Sequence, residues 1–408
     1  MNMSCSRSVL IVGGGIIGVT SAYALAEQGW RVRVVDSLAA PGLDASFGNG
    51  RQLSYSYTNA LASPETLAHF PKVMLGCDPS LRLKLSPEPS FLSWLLRFAG
   101  NCSEARFRAN TLASLELAHR SAQAMANLTA CHPLDFEYRS SGKMVIYRSA
   151  KGFARAQEIM TLKNSHGANV RACQPAEAID LEPSLSAVSG DLAGAIHSAG
   201  DNVGNCRLFA VELLKLAQTR FGVEFTPDCS VVRLRLAKDH AVAVLDDGNE
   251  IRAARIVVAS GSRANDLLAP IGFRQPLASM KGYSFTAPFG DQSPSVSITD
   301  PERRIVFTNT GNRMLVAGLA ELGNRDSRCD PDRIEVLKSL AEGALPKAAD
   351  YSSTGDSWAG LRPVTPNSLP ITRMLAPSLA VNIGHGMLGW TLALGSGQVL
   401  AEQFGRPG

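Results

Sequence analysis

The sequence predicts an α/β protein in which two domains interleave, one built on a largely parallel sheet and the other on a mixed sheet. The chain opens with a strand–turn–helix–strand unit, and residues 379–404 are typical of a strand, a glycine loop and a helix. Between them, residues 229–259 alternate as a β-meander does and end in an apolar strand suited to the first sheet. The predicted boundaries give the first domain residues 1–85, 190–265 and 355–408, and the second domain residues 86–189 and 266–354.

The N-terminal unit consists of three short segments. Residues 8–12 form an apolar run with the length of a buried parallel strand. Residues 16–28 have helical spacing, and Gly29 lies just past their end. Residues 31–36 alternate and close on an acid, which predicts a second strand. The three segments make one βαβ unit within about 30 residues.

The middle of the chain changes from helical to mixed. Residues 64–130 are mainly helical, because apolar side chains recur every three or four positions from Leu112 to Leu128. Beyond them the patterns predict a strand at 143–148, helices at 153–164 and 206–219, a strand-rich stretch at 275–318 and a helix at 331–342.

A glycine motif follows the first strand. Gly13-Gly14-Gly15-Ile16-Ile17-Gly18 fits G-x-G-x-x-G, in which the glycines permit a tight turn, phosphate approach and helix–strand packing. The helix behind it presents free amides and a positive dipole end to a pyrophosphate. Asp36, at the end of the second strand, would accept a hydrogen bond from a ribose hydroxyl. A glycine-rich turn in another α/β protein is the alternative, but strand, helix and acid all favour dinucleotide binding.

Two later segments add to this prediction. The apolar strand at 257–259 ends in Ser260-Gly261, as a strand returning to the dinucleotide sheet would. Residues 382–391 run from a strand through a glycine loop, with His385 between two glycines, into a helix whose N-terminus could stabilise negative charge on a flavin. A helix of small residues packed in the core is the alternative, and it leaves His385 unexplained.

Composition excludes several classes of protein. The formal net charge is only +4, and Lys and Arg are scattered, which argues against nucleic-acid binding. Eight cysteines are dispersed without a C-x-x-C pair, so we expect free thiols, a cytoplasmic location and no metal site. The glycine motif argues against a signal peptide at residues 7–26. Five glycines and His385 interrupt the uncharged stretch 381–401, which argues against a membrane span.

Motifs along nearly the whole chain carry a family resemblance. Besides the glycine motif they are Ser46-Phe47-Gly48-Asn49-Gly50-Arg51-Gln52-Leu53-Ser54, Asp201-Asn202-Val203-Gly204-Asn205, Lys281-Gly282-Tyr283-Ser284, Trp358-Ala359-Gly360-Leu361-Arg362-Pro363, and Gly384-His385-Gly386 through Gly389-Trp390-Thr391. In these the chain resembles the D-amino acid oxidase superfamily of FAD enzymes, and most closely its bacterial D-amino acid dehydrogenases.

The resemblance implies FAD as the cofactor and a D-amino acid oxidase-like fold with a Rossmann-like FAD domain. The residues it places at FAD are Gly13, Gly15, Ile16, Ile17, Gly18, Asp36, Ser37, Ser46, Asn49, Gly50, Arg51, Gln52, Val231, Ser260, Gly261, Gly386, Met387, Leu388, Gly389, Trp390 and Thr391.

The resemblance also implies that Arg362 binds the substrate carboxylate. A planar guanidinium suits that role because it donates two parallel hydrogen bonds; a buried arginine in an ion pair is the alternative. Tyr283 and His385 are expected to line the substrate cavity, with core packing as the alternative for each. Tyr55 and Tyr57, just after the flavin loop, are further candidates.

The implied reaction is oxidative deamination of a D-amino acid to the 2-oxo acid and ammonia, with hydride moving from Cα to flavin N5 and no protein base strictly required. The implied electron acceptor is a quinone or another respiratory component. Residues 91–98 could form an interfacial helix that contacts the inner face of the membrane, or an ordinary amphipathic core helix.

Two departures from the family pattern leave alternatives open. Arg51 stands where a small residue is usual, so it adds a positive charge near the flavin or turns outward. The segment 201–205 replaces an Asp-Glu-Thr-Gly-Asp pattern, which leaves room for a secondary amine such as D-hydroxyproline, sarcosine or glycine as the substrate. A non-catalytic flavin-binding subunit of a larger complex is the alternative from another class.

Overall fold

The computed structural model describes residues 7–405. Within that range the chain forms twenty strands: β1 (Ser8–Val12), β2 (Arg31–Val35), β3 (Gln52–Leu53), β4 (Leu81–Leu83), β5 (Lys143–Tyr147), β6 (Arg171–Cys173), β7 (Gly194–Ser198), β8 (Asn202–Val203), β9 (Glu224–Thr226), β10 (Val231–Leu236), β11 (Ala241–Leu245), β12 (Glu250–Ala253), β13 (Arg255–Val258), β14 (Ala278–Ala287), β15 (Ser297–Asp300), β16 (Ile305–Asn309), β17 (Met314–Leu322), β18 (Ser357–Val364), β19 (Ile371–Ala376) and β20 (Leu379–Ile383).

The same range contains ten α-helices, and the helices predicted at 153–164, 206–219 and 331–342 are confirmed among them. They are α1 (Ile16–Glu27), α2 (Pro64–Met74), α3 (Pro89–Asn101), α4 (Glu104–Cys131), α5 (Ala150–Asn164), α6 (Pro175–Leu181), α7 (Cys206–Phe221), α8 (Ala264–Leu268), α9 (Pro331–Ala344) and α10 (Gly389–Phe404).

The first sheet has the strand order β19-β20-β13-β1-β2-β9, parallel except for β19. Its central strand β1 is buried along its whole length, as an apolar run covered on both faces requires. Helices α1, α7 and α10 pack on one face, and the antiparallel meander β10-β11-β12 is packed through a separate apolar cluster on the other.

Helix α10 explains the uncharged stretch 381–401. It lies between α1 and α4, and most of its side chains are buried. A Cβ at Gly397 would lie 2.7 Å from the carbonyl oxygen of Thr20, so only glycine lets the two helices approach this closely. The strand, glycine loop and helix predicted for residues 379–404 are confirmed.

The second sheet has the order β18-β14-β17-β16-β15-β5-β7-β6, with β4 parallel to β17. The β15–β5 pair is also parallel and the remaining pairs are antiparallel, so the predicted mixed sheet is confirmed. One face packs against α9 and α6 through Phe285, Phe307 and Leu337. The other face is directed towards the loop at residues 46–54.

The observed sheets differ from the predicted domain boundaries at three strands. β4, β7 and β18 fall in segments assigned to the first domain, yet all three pair within the second sheet. The reason is that each is short or carries glycine and polar residues, so its sequence pattern does not reveal its partner strand.

Helix α3 has two different faces. Phe91, Trp94 and Phe98 are buried in an apolar cluster with β14 and β17, while Leu92 and Leu96 are exposed. The core-helix interpretation therefore accounts for the aromatic face. In the part of the chain that the structure describes, no helix combines the length and apolarity that a membrane span needs.

Candidate active site

A cavity of about 1810 Å³ is lined by residues from both sheets. The glycine turn after β1, the ends of β2 and β13 and the first turn of α10 form one part of its wall. Strands β14, β16, β17 and β18 form another. Except for Gly18, every residue that the sequence analysis places at FAD lines this cavity. Its lining thus joins the carboxyl ends of parallel strands, where α/β proteins bind nucleotides, to the face of the second sheet.

The glycine turn is as crowded as the motif predicts. Gly13 has φ of 114°, and a Cβ there would lie 2.7 Å from the carbonyl oxygen of Ala259. Gly18 packs directly beneath Gly13, which explains why it does not itself reach the cavity. Asp36 accepts hydrogen bonds from the amides of Gly14 and Leu38, the latter at 2.8 Å, and still lines the cavity.

The polar groups around this turn fit a pyrophosphate and a ribose. Helix α1 begins after Gly15 without a side-chain cap and with no acid in its first turn, so its free amides favour an anion. Ser46 Oγ accepts from the Ile16 amide at 3.1 Å. The buried hydroxyl of Ser260 has no hydrogen-bond partner among the described residues, which a bound polar ligand would supply. These features fit FAD.

The loop at residues 46–54 is held between the second sheet and α10. Ser284 and Thr308 donate from their hydroxyls to the carbonyls of Gly48 and Gly50, at 2.7 and 2.8 Å. The Ser54 amide donates to Thr391 Oγ1, in the first turn of α10, at 3.0 Å. The loop therefore crosses the cavity wall with its backbone fixed at both ends.

Arg51 lies within this loop with φ of 56°, and its amide donates to Asn49 Oδ1 at 2.9 Å. Its guanidinium forms an ion pair with Glu137, and both side chains are partly exposed. Of the two arrangements that the sequence leaves open, the structure shows a side chain whose charge is paired with an acid at the rim of the cavity.

The loop at residues 46–54 contacts the first turn of α10. The helix begins at Gly389 with no capping side chain and no acid in its first turn. The Trp390 indole donates to the Gly204 carbonyl at 3.1 Å and packs against Phe136 and Phe209. Trp390 thus anchors the helix through its side chain while its N-terminal amides remain available to the cavity.

His385 lines the cavity, but its imidazole contacts Ser396 in the core. Its Nε2 lies 3.0 Å from Ser396 Oγ, and burial lowers its pKa to about 3. The imidazole is therefore neutral at physiological pH and is held in place by α10. The core-packing interpretation describes its contacts.

Arg362 is a partly buried cation, and the described residues supply no counter-ion for it. It lies on β18 opposite Met280, and its guanidinium covers Gly282, where a Cβ would collide with it. Within residues 7–405 no ion pair or hydrogen bond involves its side chain, and it lines the cavity. Burial alone lowers its pKa to about 10, whereas a nearby carboxylate would raise it. An uncompensated buried charge is costly, so this group is suited to an anionic ligand.

The tyrosine candidates are placed differently from one another. Tyr283 does not line the cavity, because its ring is directed into the core behind the second sheet with Phe285 and Leu337. Tyr55 is also absent from the cavity wall and packs in the core of the first domain, where its hydroxyl has no described partner. Only Tyr57 lines the cavity, in contact with a buried lysine.

That lysine, Lys143, is a site residue that sequence reasoning missed. It lies at the start of β5, is 3% exposed and lines the cavity. Its ammonium donates to Gln52 Oε1 at 2.6 Å and to Ser54 Oγ at 2.7 Å, both in the loop at residues 46–54. The available signal was a charged residue at the cavity-facing end of the otherwise apolar run Lys143–Tyr147.

The cysteines and the other residues of metal-ligating type are dispersed in the described part of the chain. Among residues 7–405 no three His, Cys, Asp or Glu side chains converge as metal ligands would. Seven of the eight cysteines are free thiols, and the eighth, Cys5, lies outside the described residues.

Comparison with known families agrees with this geometry. The family model described as DAO, FAD dependent oxidoreductase, matches residues 8–403. "D-amino acid dehydrogenase 2" from Ralstonia nicotianae is 35% identical, over 98% of this chain and 96% of the relative. "D-amino acid dehydrogenase" from Paramagnetospirillum magneticum is also 35% identical, over 98% of this chain and 95% of the relative.

Solved structures show the same fold at low sequence identity. Glycine oxidase from Bacillus cereus superposes with a TM-score of 0.73 at 20% identity, covering 97% of this chain and 94% of that one. L-proline dehydrogenase from P. horikoshii superposes with a TM-score of 0.76 at 15% identity, covering 98% and 94%. The predicted D-amino acid oxidase-like architecture is confirmed.

Proposed function

The chain belongs to the DAO family of FAD-dependent oxidoreductases, and we propose that it oxidatively deaminates a D-amino acid to the 2-oxo acid and ammonia. The observation that carries this proposal is Arg362, a partly buried guanidinium in the cavity wall with no described counter-ion. The relatives named D-amino acid dehydrogenase, which match almost the full length of this chain, support the substrate class.

FAD would be held at two places by this chain. The amides of the glycine turn and of the first turn of α1, with Asp36, Ser46 and Ser260, would hold the pyrophosphate and ribose. The loop at residues 46–52 and the N-terminus of α10 would hold the isoalloxazine. Bound FAD supplies the acceptor for the hydride that leaves the substrate Cα.

The contribution of this chain to the reaction is chiefly orientation. Arg362 would bind the substrate carboxylate through two parallel hydrogen bonds, which fixes the position of Cα and its hydrogen. Once carboxylate and hydrogen are fixed, the two enantiomers differ by an exchange of amine and side chain, so the cavity can accept only one of them well. His385 is a weak base, because burial lowers its pKa to about 3, and its Nε2 lies against Ser396, so it is not suited to remove the amine proton.

The product test separates this proposal from its alternatives. With an artificial electron acceptor, a D-amino acid should yield one 2-oxo acid and one ammonia per two electrons transferred. Oxidation of N-substituted or cyclic amines alone, without ammonia, would support the secondary-amine substrate instead. Bound FAD with no turnover of any amine would contradict the proposal and favour a non-catalytic subunit.

We also propose that the electron acceptor is a membrane quinone reached from the surface formed by α2, α3 and the segment between them. The exposed apolar side chains of this surface are Leu67, Met74, Leu75, Leu85, Leu92 and Leu96. These side chains lie in one segment of the chain, and exposed apolar groups on such helices are typical of a surface that contacts a membrane or another protein.

Liposome binding tests the membrane contact. The double variant Leu92→Glu/Leu96→Glu should lose co-sedimentation with vesicles that contain anionic phospholipids, because acids on this face oppose insertion and repel the headgroups. Leu181→Glu, an exposed leucine on α6, is the matched control and should sediment as the wild type does. Equal sedimentation of both variants would contradict this contact surface.

A further inference from the structure

A row of apolar side chains begins directly beside Arg362 on the second sheet. Arg362 on β18 pairs with Met280 on β14. Met280 in turn pairs with Leu322 on β17, and Leu322 pairs with Leu83 on β4. Directly paired residues of neighbouring strands point to the same face, and all four residues line the cavity. The sheet therefore presents one continuous row, in which a guanidinium is followed by three apolar side chains.

The guanidinium of Arg362 lies between this row and the loop at residues 46–54. It covers Gly282, which has Met280 two residues before it and Ser284 two residues after it on the same face of β14. Ser284 donates to a backbone carbonyl of the loop, so the loop and the apolar row lie on opposite sides of Gly282. Two residues of a strand span about 7 Å, close to the reach of a side chain with three or four non-hydrogen atoms. A substrate carboxylate bound at the guanidinium therefore places such a side chain within reach of the row.

The packing around the row is also apolar. Met280 and Leu322 are buried and belong to one cluster with Phe98 of α3. The neighbouring pair on the same two strands, Ala320 and Leu81, extends the cavity wall by one more apolar step. A polar group placed against this wall would lose its hydrogen bonds to water without replacement, which disfavours its burial. The wall is thus suited to an apolar part of a ligand.

Apart from Arg362, no residue of the row carries a charge. The pKa of Arg362 is lowered by burial alone, so no described acid or base lies close enough to change it. Arg82 and Arg325 also line the cavity, but both are exposed to solvent, and Arg325 is paired with Glu88 and Asp266. A buried charge without a partner is costly, so the row favours neither an acidic nor a basic side chain.

We propose that Met280, Leu322 and Leu83 form the side-chain pocket of the active site, so that the preferred substrates are D-amino acids with an apolar side chain of three or four non-hydrogen atoms. This inference rests on the proposed function, because it assigns the substrate carboxylate to Arg362. D-Leucine, D-norleucine and D-methionine fit this description. D-Alanine fills little of the pocket, and D-aspartate and D-asparagine place a polar group in it.

Two substrate series test the assignment, with the FAD-loaded protein and an artificial electron acceptor. Along D-alanine, D-2-aminobutyrate, D-norvaline and D-norleucine, kcat/KM should rise by about threefold to fourfold per methylene, as expected for burying one such group. D-Leucine should exceed its near-isosteres D-aspartate and D-asparagine by at least about tenfold, because only they bring a polar group to the apolar wall.

Paired methionine variants connect this preference with the row. Met280→Ala should lower the increment to less than about twofold per methylene, because it removes the apolar contact beside Arg362, and Met280→Leu should preserve the increment. Met314→Ala is the matched control, since Met314 is buried in the core behind the same sheet and does not line the cavity. Its series should match that of the wild type. Leu322→Ala replaces Met280→Ala if the latter folds poorly.

Carboxylates without an amine test the pocket independently of turnover. 4-Methylpentanoate corresponds to D-leucine without its amine, and succinamate corresponds in the same way to D-asparagine. The first should perturb the visible flavin band with at least about tenfold higher affinity than the second, because only its end is apolar. This difference should shrink in Met280→Ala and remain in Met314→Ala.

Several results would overturn the inference. Oxidation of D-aspartate or D-asparagine as efficiently as D-leucine would contradict the pocket assignment while leaving the proposed function intact. A series that falls from D-alanine onward would do so too, as would a series that Met280→Ala and Leu322→Ala leave unchanged. If 4-methylpentanoate binds tightly but no D-amino acid reduces the flavin, the proposed function fails and the substrate class fails with it.

Discussion

The two cations of the cavity wall, the partly buried Arg362 and the buried Lys143, are stabilised in different ways. Arg362 has no described acceptor and no acid near enough to influence its pKa. Lys143 has two acceptors from the loop at residues 46–54 and shares Asp201 with Lys163. Arginine keeps its charge even when it is buried, whereas a buried lysine can lose its proton.

Because of this difference, the charge of Arg362 is constant, whereas the charge of Lys143 depends on its conditions. The guanidinium of Arg362 stays charged at any physiological pH, so the site is complete only when an anion is bound. Burial lowers the pKa of Lys143 to about 7, so its charge depends on pH and on what lies beside it. We therefore expect Arg362 to determine whether a substrate binds, whereas Lys143 holds the loop at residues 46–54 through Gln52 and Ser54.

The largest effect is expected from Arg362→Ala. Loss of a buried hydrogen-bonded charge partner typically costs about 2–5 kcal/mol, so kcat/KM for any D-amino acid should fall by orders of magnitude, mainly through KM. Steady-state kinetics with an artificial acceptor measures it. Arg233→Ala, on the exposed side of the meander, is the control. An unchanged KM in Arg362→Ala would contradict the assignment of Arg362 to the substrate carboxylate.

A smaller effect is expected from Asp201→Asn, which removes the carboxylate shared by the two lysines. The free energy of unfolding should fall by about 1–3 kcal/mol, the range for buried polar groups left without compensation. Urea denaturation of the holoenzyme at pH 7 measures it. Asp239→Asn, at a residue whose side chain is 78% exposed, should change stability little. Equal denaturation midpoints for the two variants would show that the cluster needs no internal acid.

The pH dependence of the free energy of unfolding also distinguishes Lys143 from Arg362. Lys143 has a folded pKa of about 7 against an ordinary 10.5, so above pH 7 the folded state binds fewer protons than the unfolded state. Stability should therefore rise with pH from 7 towards 10, by at most about 1.4 kcal/mol per unit for one proton.

Three other groups lie beside Lys143 and also affect the pH profile of stability. They are Lys163, whose pKa is lowered to about 8, Asp201 and the ring of Tyr57. Because Lys143→Met retains these groups, the difference between its thermal-melt pH profile and that of the wild type isolates Lys143. A difference that stays constant from pH 7 to 9 would show that the ammonium is not destabilised by burial.

The smallest effect is expected from Ser396→Ala. This variant removes the hydroxyl beside His385 Nε2 and should cost about 1 kcal/mol of stability. Because His385 carries no charge at neutral pH, we expect the rate of flavin reduction to stay within twofold of the wild type. A much larger loss of rate at unchanged stability would mean that His385 takes part in the chemistry, and that the two cations alone do not describe the site.

Much of the fold could be predicted because its signals are local. The glycine turn, β1, α1 and β2 are contiguous, and each is specified by spacing within a few residues. β4, β7 and β18 pair in the second sheet although they lie in segments predicted for the first domain, because strand pairing joins residues far apart in the chain. β7, for example, pairs with β5 across nearly fifty residues, and its own sequence does not record that partner.

The site was predictable only in part for the same reason. The residues proposed at FAD occur in motifs with fixed spacing, and all but Gly18 reach the cavity wall. Tyr283 and Tyr55 did not, because a single residue's direction depends on the register and twist of a whole sheet. Lys143 was missed because its meaning lies in contacts with residues 52 and 54, about ninety positions away.

Anaerobic flavin reduction with enantiomer pairs tests the central claim most directly. Purified FAD-loaded protein is mixed with the D- and L-forms of the same amino acid, and the visible flavin band is followed. We predict rapid bleaching by the D-form and none by the L-form. Bleaching by the L-form, or by neither form while N-substituted amines bleach the band, would contradict the claim that this cavity orients a D-amino acid for oxidation at Cα.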